Sequence, residues 1–254
     1  MIYDLQKASI LKRISAWLLD FILIVILAVG VMYLMALITG IEKHSDALQK
    51  YYVEFGEKHN VDLLISQEEL NKQTEEYVVR YNEAVQDFFS NEDAKNAYNQ
   101  VLTLPLLIIT FSALIPIIIV EFIIPLCLKN GRTVGKKVFN LGVVFKNSVK
   151  MSTFALFVRS ILGKYTIETM VPILLLYMVF YNNILGITGL IVLGLLVVLQ
   201  LAVVIATKTN SCIHDVLSNT AVVDMQTQMV FTTYDELMEY KESLHQEEVK
   251  KSTY

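Results

Sequence analysis

Charge is scarce in this sequence. Asp, Glu, Lys and Arg make up 18% of 254 residues while hydrophobic residues make up 54%, and a soluble domain carries about 25% charged residues. The scarcity is concentrated: residues 21–39 and 169–207 hold no charge at all, and 101–128 hold one, Glu121. That pattern excludes a disordered chain and an ordinary soluble enzyme. An excess of positive charge is missing too. The formal net charge is -4 and the few basic runs flank apolar segments, so a nucleic-acid partner is excluded. Two cysteines, Cys127 and Cys212, are too few for a disulfide framework. What remains is an integral membrane protein whose first partner is the lipid bilayer.

A helix crossing the roughly 30 Å hydrocarbon core needs about 20 apolar residues. The first span occupies 21–39, extended backwards through 14–19. Asp20 interrupts the apolar run and no convincing small-residue site follows, which argues against a cleaved signal peptide. The second span runs over 101–128. Residues 169–207 would make about 58 Å of helix at 1.5 Å per residue, nearly two bilayer cores. Asn182-Asn183 sits where a turn is needed, so two short antiparallel spans are expected, about 167–181 and 184–206.

Orientation follows from Lys and Arg in the connections. Residues 129–164 carry eight basic and no acidic residues, whereas 41–100 carry six basic and thirteen acidic, a net of −7. The expected arrangement puts 129–164 and both termini in the cytoplasm and 41–100 outside. The resulting segments are a cytoplasmic N-terminus with the first span (1–40), an external helical hairpin (41–100), the second span (101–128), and a basic cytoplasmic loop with an interfacial helix (129–165). The third and fourth spans (166–207) and a cytoplasmic tail (208–254) follow. The fold class is an all-α membrane protein with four transmembrane helices, an external helical hairpin insert and a small cytoplasmic β-prone element.

About 60 residues far exceed the usual connection between packed helices, and the insert reads as helix. Leu48, Tyr51, Tyr52 and Phe55 are spaced i, i+3, i+4, i+7; Ser66 and Glu69 form a capping-box pattern. Leu70, Thr74, Tyr77, Tyr81, Val85 and Phe88 continue a stripe. The stripe suits a hairpin closed on its own aromatic seam, and it equally suits a cap that binds an external partner. Residues 141–145 and 220–223 are strand candidates that should pair, with direction open. Ser152 can cap an amphipathic helix suited to the membrane–water interface. Thr233 to Glu236 open a capped helix in the tail.

Charges inside spans are functional candidates by default. Asp20 lies eight residues past Lys12 and Glu121 eight before Lys129, about 12 Å deep from one side in each case. Two carboxylates at matched depth can share a proton or hold a cation. Alternatively, each pairs with Arg13 or Arg159, whose long stems reach along a helix. Arg13 and Asp20 share a helix face about 10 Å apart, so each needs another partner, and Asp215 is available. Cys212, His214 and Asp215 form a weak metal pattern, because no second cluster supplies further ligands. No metal and no cofactor is expected. The glycine-rich run 131–137 lacks phosphate-loop spacing and follows a membrane helix, so a turn laying basic residues on anionic headgroups is expected. His44, His59 and His245 have no serine or cysteine partner, and no enzyme activity is expected.

The runs KRISAWLLDFILI, EFIIPLCLKNGRTVGKKVFNLGVV, LFVRSIL and SCIHDVLSNTAVV together resemble the RDD family of bacterial membrane proteins. The resemblance covers about residues 8–40 and 115–224. The family is named for an arginine and two aspartates, which by motif match are Arg13, Asp20 and Asp215. Its most specific signature is the G-x-T-x-G-K loop, here Gly131, Thr133, Gly135 and Lys136. The match departs at Ser218-Asn219, where the family tends to have a small residue and glycine. The resemblance implies a bacterial cell-membrane protein and a transport role, some members being similar to sodium/proton antiporters. Transport is compatible with Asp20 and Glu121 exchanging protons for cations, through a homo-oligomer or with a membrane partner, since four helices are few for a solute path. The second expectation is a non-transporting anchor or accessory subunit whose segment 41–100 binds a secreted or cell-surface protein.

Overall fold

The computed structural model describes residues 5–128, 130–180 and 186–252. The described helices are α1 (Ile10–Thr39), α2 (Ile41–His59), α3 (Gln67–Leu70), α4 (Glu75–Ser90), α5 (Glu92–Leu128), α6 (Val134–Val138), α7 (Thr153–Phe180), α8 (Gly186–Ala206), α9 (Ile213–Leu217) and α10 (Tyr234–Ser252). Four of them, α1, α5, α7 and α8, are long and apolar enough to cross a membrane. Their side chains explain the length: runs of Leu, Ile and Val leave every backbone polar group to be satisfied inside the helix, the one solution a bilayer permits. The expected Asn182-Asn183 turn lies outside the described residues, as does Lys129.

The chain divides into two compact units, Met1–Ala28 with Ala113–Tyr254, and Val29–Ser112. In the second unit, α2, α4 and the start of α5 share an apolar cluster of Leu48, Phe55, Phe88, Ala94 and Ala97. Tyr52 stacks on Phe88 at 5.1 Å and Phe55 meets the same ring edge-on at 5.8 Å. The Ser66–Glu69 capping box is present, but it opens only the single turn α3. Thr74 then caps α4 separately, so Leu70 and Thr74 do not continue one helical stripe with Tyr77 and Phe88.

In the first unit, two five-residue strands pair antiparallel: β1 (Leu141–Phe145) and β2 (Thr220–Asp224), with Val143 opposite Val222. Their buried faces join Ala8, Ala16, Met151, Ala155 and Leu156 in a small core. Ser152 caps α7 as its hydroxyl accepts from the Ala155 N–H. The helix it starts is not a separate interfacial segment, however. It runs unbroken from Thr153 to Phe180, and Arg159 within it is buried. In the tail, Thr233 accepts from the Glu236 N–H, and Leu237 and Tyr240 of α10 pack on Phe231.

Two stretches depart from α-helical winding. Ile118–Ile123 in α5 and Val158–Met170 in α7 adopt wider π-helical turns. Such turns occur mostly as short bulges, frequently at functional sites. Here they contain Glu121 in one case and Arg159, Lys164 and Glu168 in the other. Widening the turn changes the angle at which these side chains leave the helix. It also frees backbone carbonyls, and the Ser160 hydroxyl donates to the Glu121 carbonyl at 2.6 Å.

Candidate functional site

The charged residues of the first unit converge on one buried network. Asp20 comes from α1, where it is 2% exposed. Its Oδ1 accepts from the Gly135 N–H at 2.8 Å and its Oδ2 from the Thr133 hydroxyl at 2.5 Å. Thr133 in turn caps α6, accepting from the Lys136 N–H. A loop of glycine, threonine and lysine is therefore folded around a carboxylate of another helix. Gly135 is required there, because a Cβ would run into the Ala16 carbonyl and lie 3.0 Å from the Asp20 carboxyl carbon.

Lys136, expected on anionic headgroups, is instead buried. Its ammonium donates to Thr133 at 3.2 Å and stands 4.0 Å from Asp20 and 3.7 Å from Glu121. The partner between the two carboxylates is thus a lysine, and neither Asp20 nor Glu121 pairs with Arg13 or Arg159 among the described contacts. Glu121 is 2% exposed. Its Oε1 accepts from Lys164, while its Oε2 has no hydrogen-bond donor among the described residues. Burial pushes the Lys136 ammonium down to about 8; Glu121 and Asp20 oppose that, and Lys164 and Arg159 reinforce it.

The second half of the network is built on Asp215. Arg159 donates to its Oδ1 through Nε at 3.0 Å and Nη2 at 2.8 Å. Arg13 approaches Oδ2 at 3.5 Å and donates to the carbonyls of Thr209 and Asn210. The expectation that Arg13 finds its partner in Asp215 matches this geometry. Burial would raise the Asp215 carboxyl, yet the Arg159 guanidinium holds it well below the usual carboxylate range. His214 extends the network: its Nδ1 lies 2.7 Å from Glu168, and its backbone N–H donates to the same carboxylate. Burial lowers the imidazole, against the pull of Asp215 and Glu168. Gly163 lets α7 approach α9, since a Cβ there would lie 2.5 Å from that of His214.

Cys212, His214 and Asp215 bring their ligating atoms within 4.8 Å of one another. The donor set does not suit a resident metal, because Asp215 is already bound by two guanidinium groups and His214 by Glu168. Beside the network lies a cavity of about 420 Å³, lined among others by Arg13, Trp17, Asp20, Lys136, Gln200 and Asp215.

Sequence spacing placed Arg13, Asp20, Glu121, Arg159 and Asp215 as candidates, and all five join this network. Lys164 and Glu168 are not marked as site residues by the sequence reading, and His214 only as part of a weak metal pattern. The available signal was their position: Lys164 and Glu168 stand one helical turn apart at the entrance to an uncharged run, where any charge is costly.

The profile of one protein family, described as the RDD family, matches residues 7–219. No curated protein and no solved structure matches the chain.

Proposed function

Because this chain belongs to the RDD family, we propose that it is a membrane transporter exchanging protons for cations at Asp20, Lys136 and Glu121. The observation that carries the proposal is the position of Lys136 between two buried carboxylates, one of whose oxygens lacks a hydrogen-bond donor among the described residues. A proton leaving the Lys136 ammonium removes the charge that neutralises Asp20 and Glu121. A cation entering between them restores it, and reprotonation of the lysine expels the cation. Proton and cation thus compete for one charge-balanced place. Lys136 titrates at about 8, which puts its switching range near physiological pH. Thr133 and Gly135 hold Asp20 in place through the cycle.

The cell membrane of a bacterium is the proposed location, with both termini and 129–164 cytoplasmic and 41–100 outside. Cysteine labelling from outside should reach position 72 and not 147; the reverse pattern overturns the orientation. Four spans are few for a solute path, so the working unit is proposed to be a homo-oligomer or a complex. A second reading, a non-transporting anchor, draws on the self-contained aromatic cluster of 29–112. It predicts an external protein that co-purifies with the full chain and is lost on deleting 44–96.

Lys136→Arg tests the exchange directly. Arginine keeps the positive charge but does not release its proton, so the variant should fold and yet lose cation-dependent proton movement in vesicles. Wild-type exchange should rise to half-maximum near pH 8. Unchanged exchange in Lys136→Arg, or a wild type that moves no protons with any monovalent cation, refutes the mechanism.

A further inference from the structure

The cavity beside the charge network is too large for an unhydrated ion. A water molecule claims about 30 Å³ of liquid, whereas this cavity measures about 420 Å³, within the range of pockets that hold small organic groups. Its walls are of two kinds. One is polar, with Arg13, Lys136 and Gln200 beside the carboxylates of Asp20 and Asp215, which are already held by the hydrogen bonds and ion pairs above. The other is apolar, with Ile10, Ile14 and Trp17. These three residues are spaced i, i+4, i+7 along α1 and are also exposed on its outer surface, at 56%, 53% and 57%. The cavity therefore opens on a face of α1 that turns toward lipid, through a stripe of apolar side chains.

Its depth is also informative. α1 has 30 residues, about 45 Å of helix at 1.5 Å per residue, which exceeds the roughly 30 Å hydrocarbon core. The first three turns, with Lys12, Arg13 and Trp17, lie at the end where the helix leaves the core. Tryptophan is enriched at that level, where lipid headgroups meet their chains.

The charge on the site constrains the guest. Arg13, Lys136, Arg159 and Lys164 pair with Asp20, Glu121 and Asp215, and Glu168 lies against His214, so four cationic side chains stand beside four carboxylates. An added anion or an added cation would leave an uncompensated charge in a desolvated place. A guest with both signs leaves the balance intact. Polar groups for each half are present. The Lys136 ammonium makes one hydrogen bond, to Thr133, among the described contacts. Gln200 donates to Glu168 at 3.2 Å, which fixes its amide orientation and leaves its Oε1 buried without a donor among the described residues.

We propose that this cavity is a binding site for a zwitterionic phospholipid of the ethanolamine type. The phosphate is received by Arg13 and Lys136, the ammonium by Gln200 Oε1, and the upper acyl chain lies along Ile10, Ile14 and Trp17. The site shares Lys136 with the exchange cycle, but its occupancy is read by lipid contact and not by ion movement, so the two readings fail separately.

Trp17 is the only tryptophan in the chain and serves as the reporter. The full-length protein in detergent micelles is titrated with brominated-acyl phosphatidylethanolamine, phosphatidylglycerol or diacylglycerol, and Trp17 quenching is followed. Quenching by phosphatidylethanolamine should saturate at a mole fraction about tenfold below that of the other two, a difference of about 1.4 kcal/mol. Arg13→Gln should remove that preference. Val204→Phe, which narrows the cavity without altering a charge, should remove it as well, so the test stands even where Arg13→Gln fails to fold. Equal quenching by all three lipids would mean surface contact only and overturns the proposal, as does a preference for phosphatidylglycerol. Displacement by tail-less glycerophosphoethanolamine as effective as by the intact lipid would identify a soluble zwitterion instead. Unchanged preference in Val204→Phe would place the lipid outside the cavity.

Discussion

Two regions of this chain hold themselves together by opposite means. In 29–112, aromatic side chains are buried and charges stay at the surface: Phe88 is 1% exposed, while Lys58 and Asp87 form their ion pair in the open. In the unit that contains Asp20, Glu121, Arg159 and Asp215, a buried charge network stands beside the small apolar core around β1 and β2. Among the described residues, the largest fully buried side chain is that of Arg159. Burying an aromatic ring is favourable by itself and tolerant of small errors in geometry. Burying an ion pair stabilises only if every partner is present, because removing one leaves the other desolvated and unpaired. The first strategy makes a support, whereas the second makes a place whose energy changes steeply when a proton or ion moves.

The comparison breaks most readily at Arg159. Arg159→Met should destabilise the protein by about 3 kcal/mol, because buried Asp215 loses its two hydrogen bonds to Oδ1 and keeps only the looser Arg13 contact. Thermal unfolding in detergent measures it, and adding Asp215→Leu should recover part of the loss. A single variant as stable as wild type would show that the charge network does not stabilise this unit. Phe88→Ala should cost about 3 kcal/mol, the usual range for removing a buried ring, with hydrogen exchange accelerating in α2 and α4. Exchange that accelerates equally around Asp215 would erase the distinction between the two regions.

The smallest effect belongs to Asp87. Hydrogen bonds from Lys58 and His59 lower its carboxyl below the usual value. A depressed carboxyl contributes stability above its unfolded-state pKa, lost as pH falls through the folded one. The pair is exposed, so solvent screens it. Asp87→Asn should therefore leave the melting temperature at neutral pH within measurement error. A clear loss would mean that the surface pair is tied into the aromatic cluster.

Much of this was legible in the residues. The four apolar helices follow from hydrophobic runs that have no other stable environment, and the Ser152 and Thr233 caps follow from side chains that satisfy the first turn's N–H groups. The boundaries were less legible. The π-helical turns in α5 and α7 carry no composition signal, because they are set by side chains from other elements, as the Ser160 hydroxyl on the Glu121 carbonyl illustrates. For the same reason the interfacial helix expected near Arg159 and the span after it merge into one. Lys136 shows the limit most clearly. Sequence marked it as part of a loop signature beside basic neighbours, and a basic loop beside a membrane is ordinarily a surface.

What the sequence determined by itself is local and compositional: which segments are too apolar for water, which residues start helices, and which charges stand in costly places. Each of these depends on a residue and its near neighbours along the chain. Tertiary structure alone decided the pairing: Arg159 with Asp215, Asp20 with the N–H of Gly135, Lys136 between Asp20 and Glu121. These partners lie 15 to 116 positions apart in the chain. Coulombic attraction depends on distance through space and on desolvation, and chain spacing sets neither until the helices have packed.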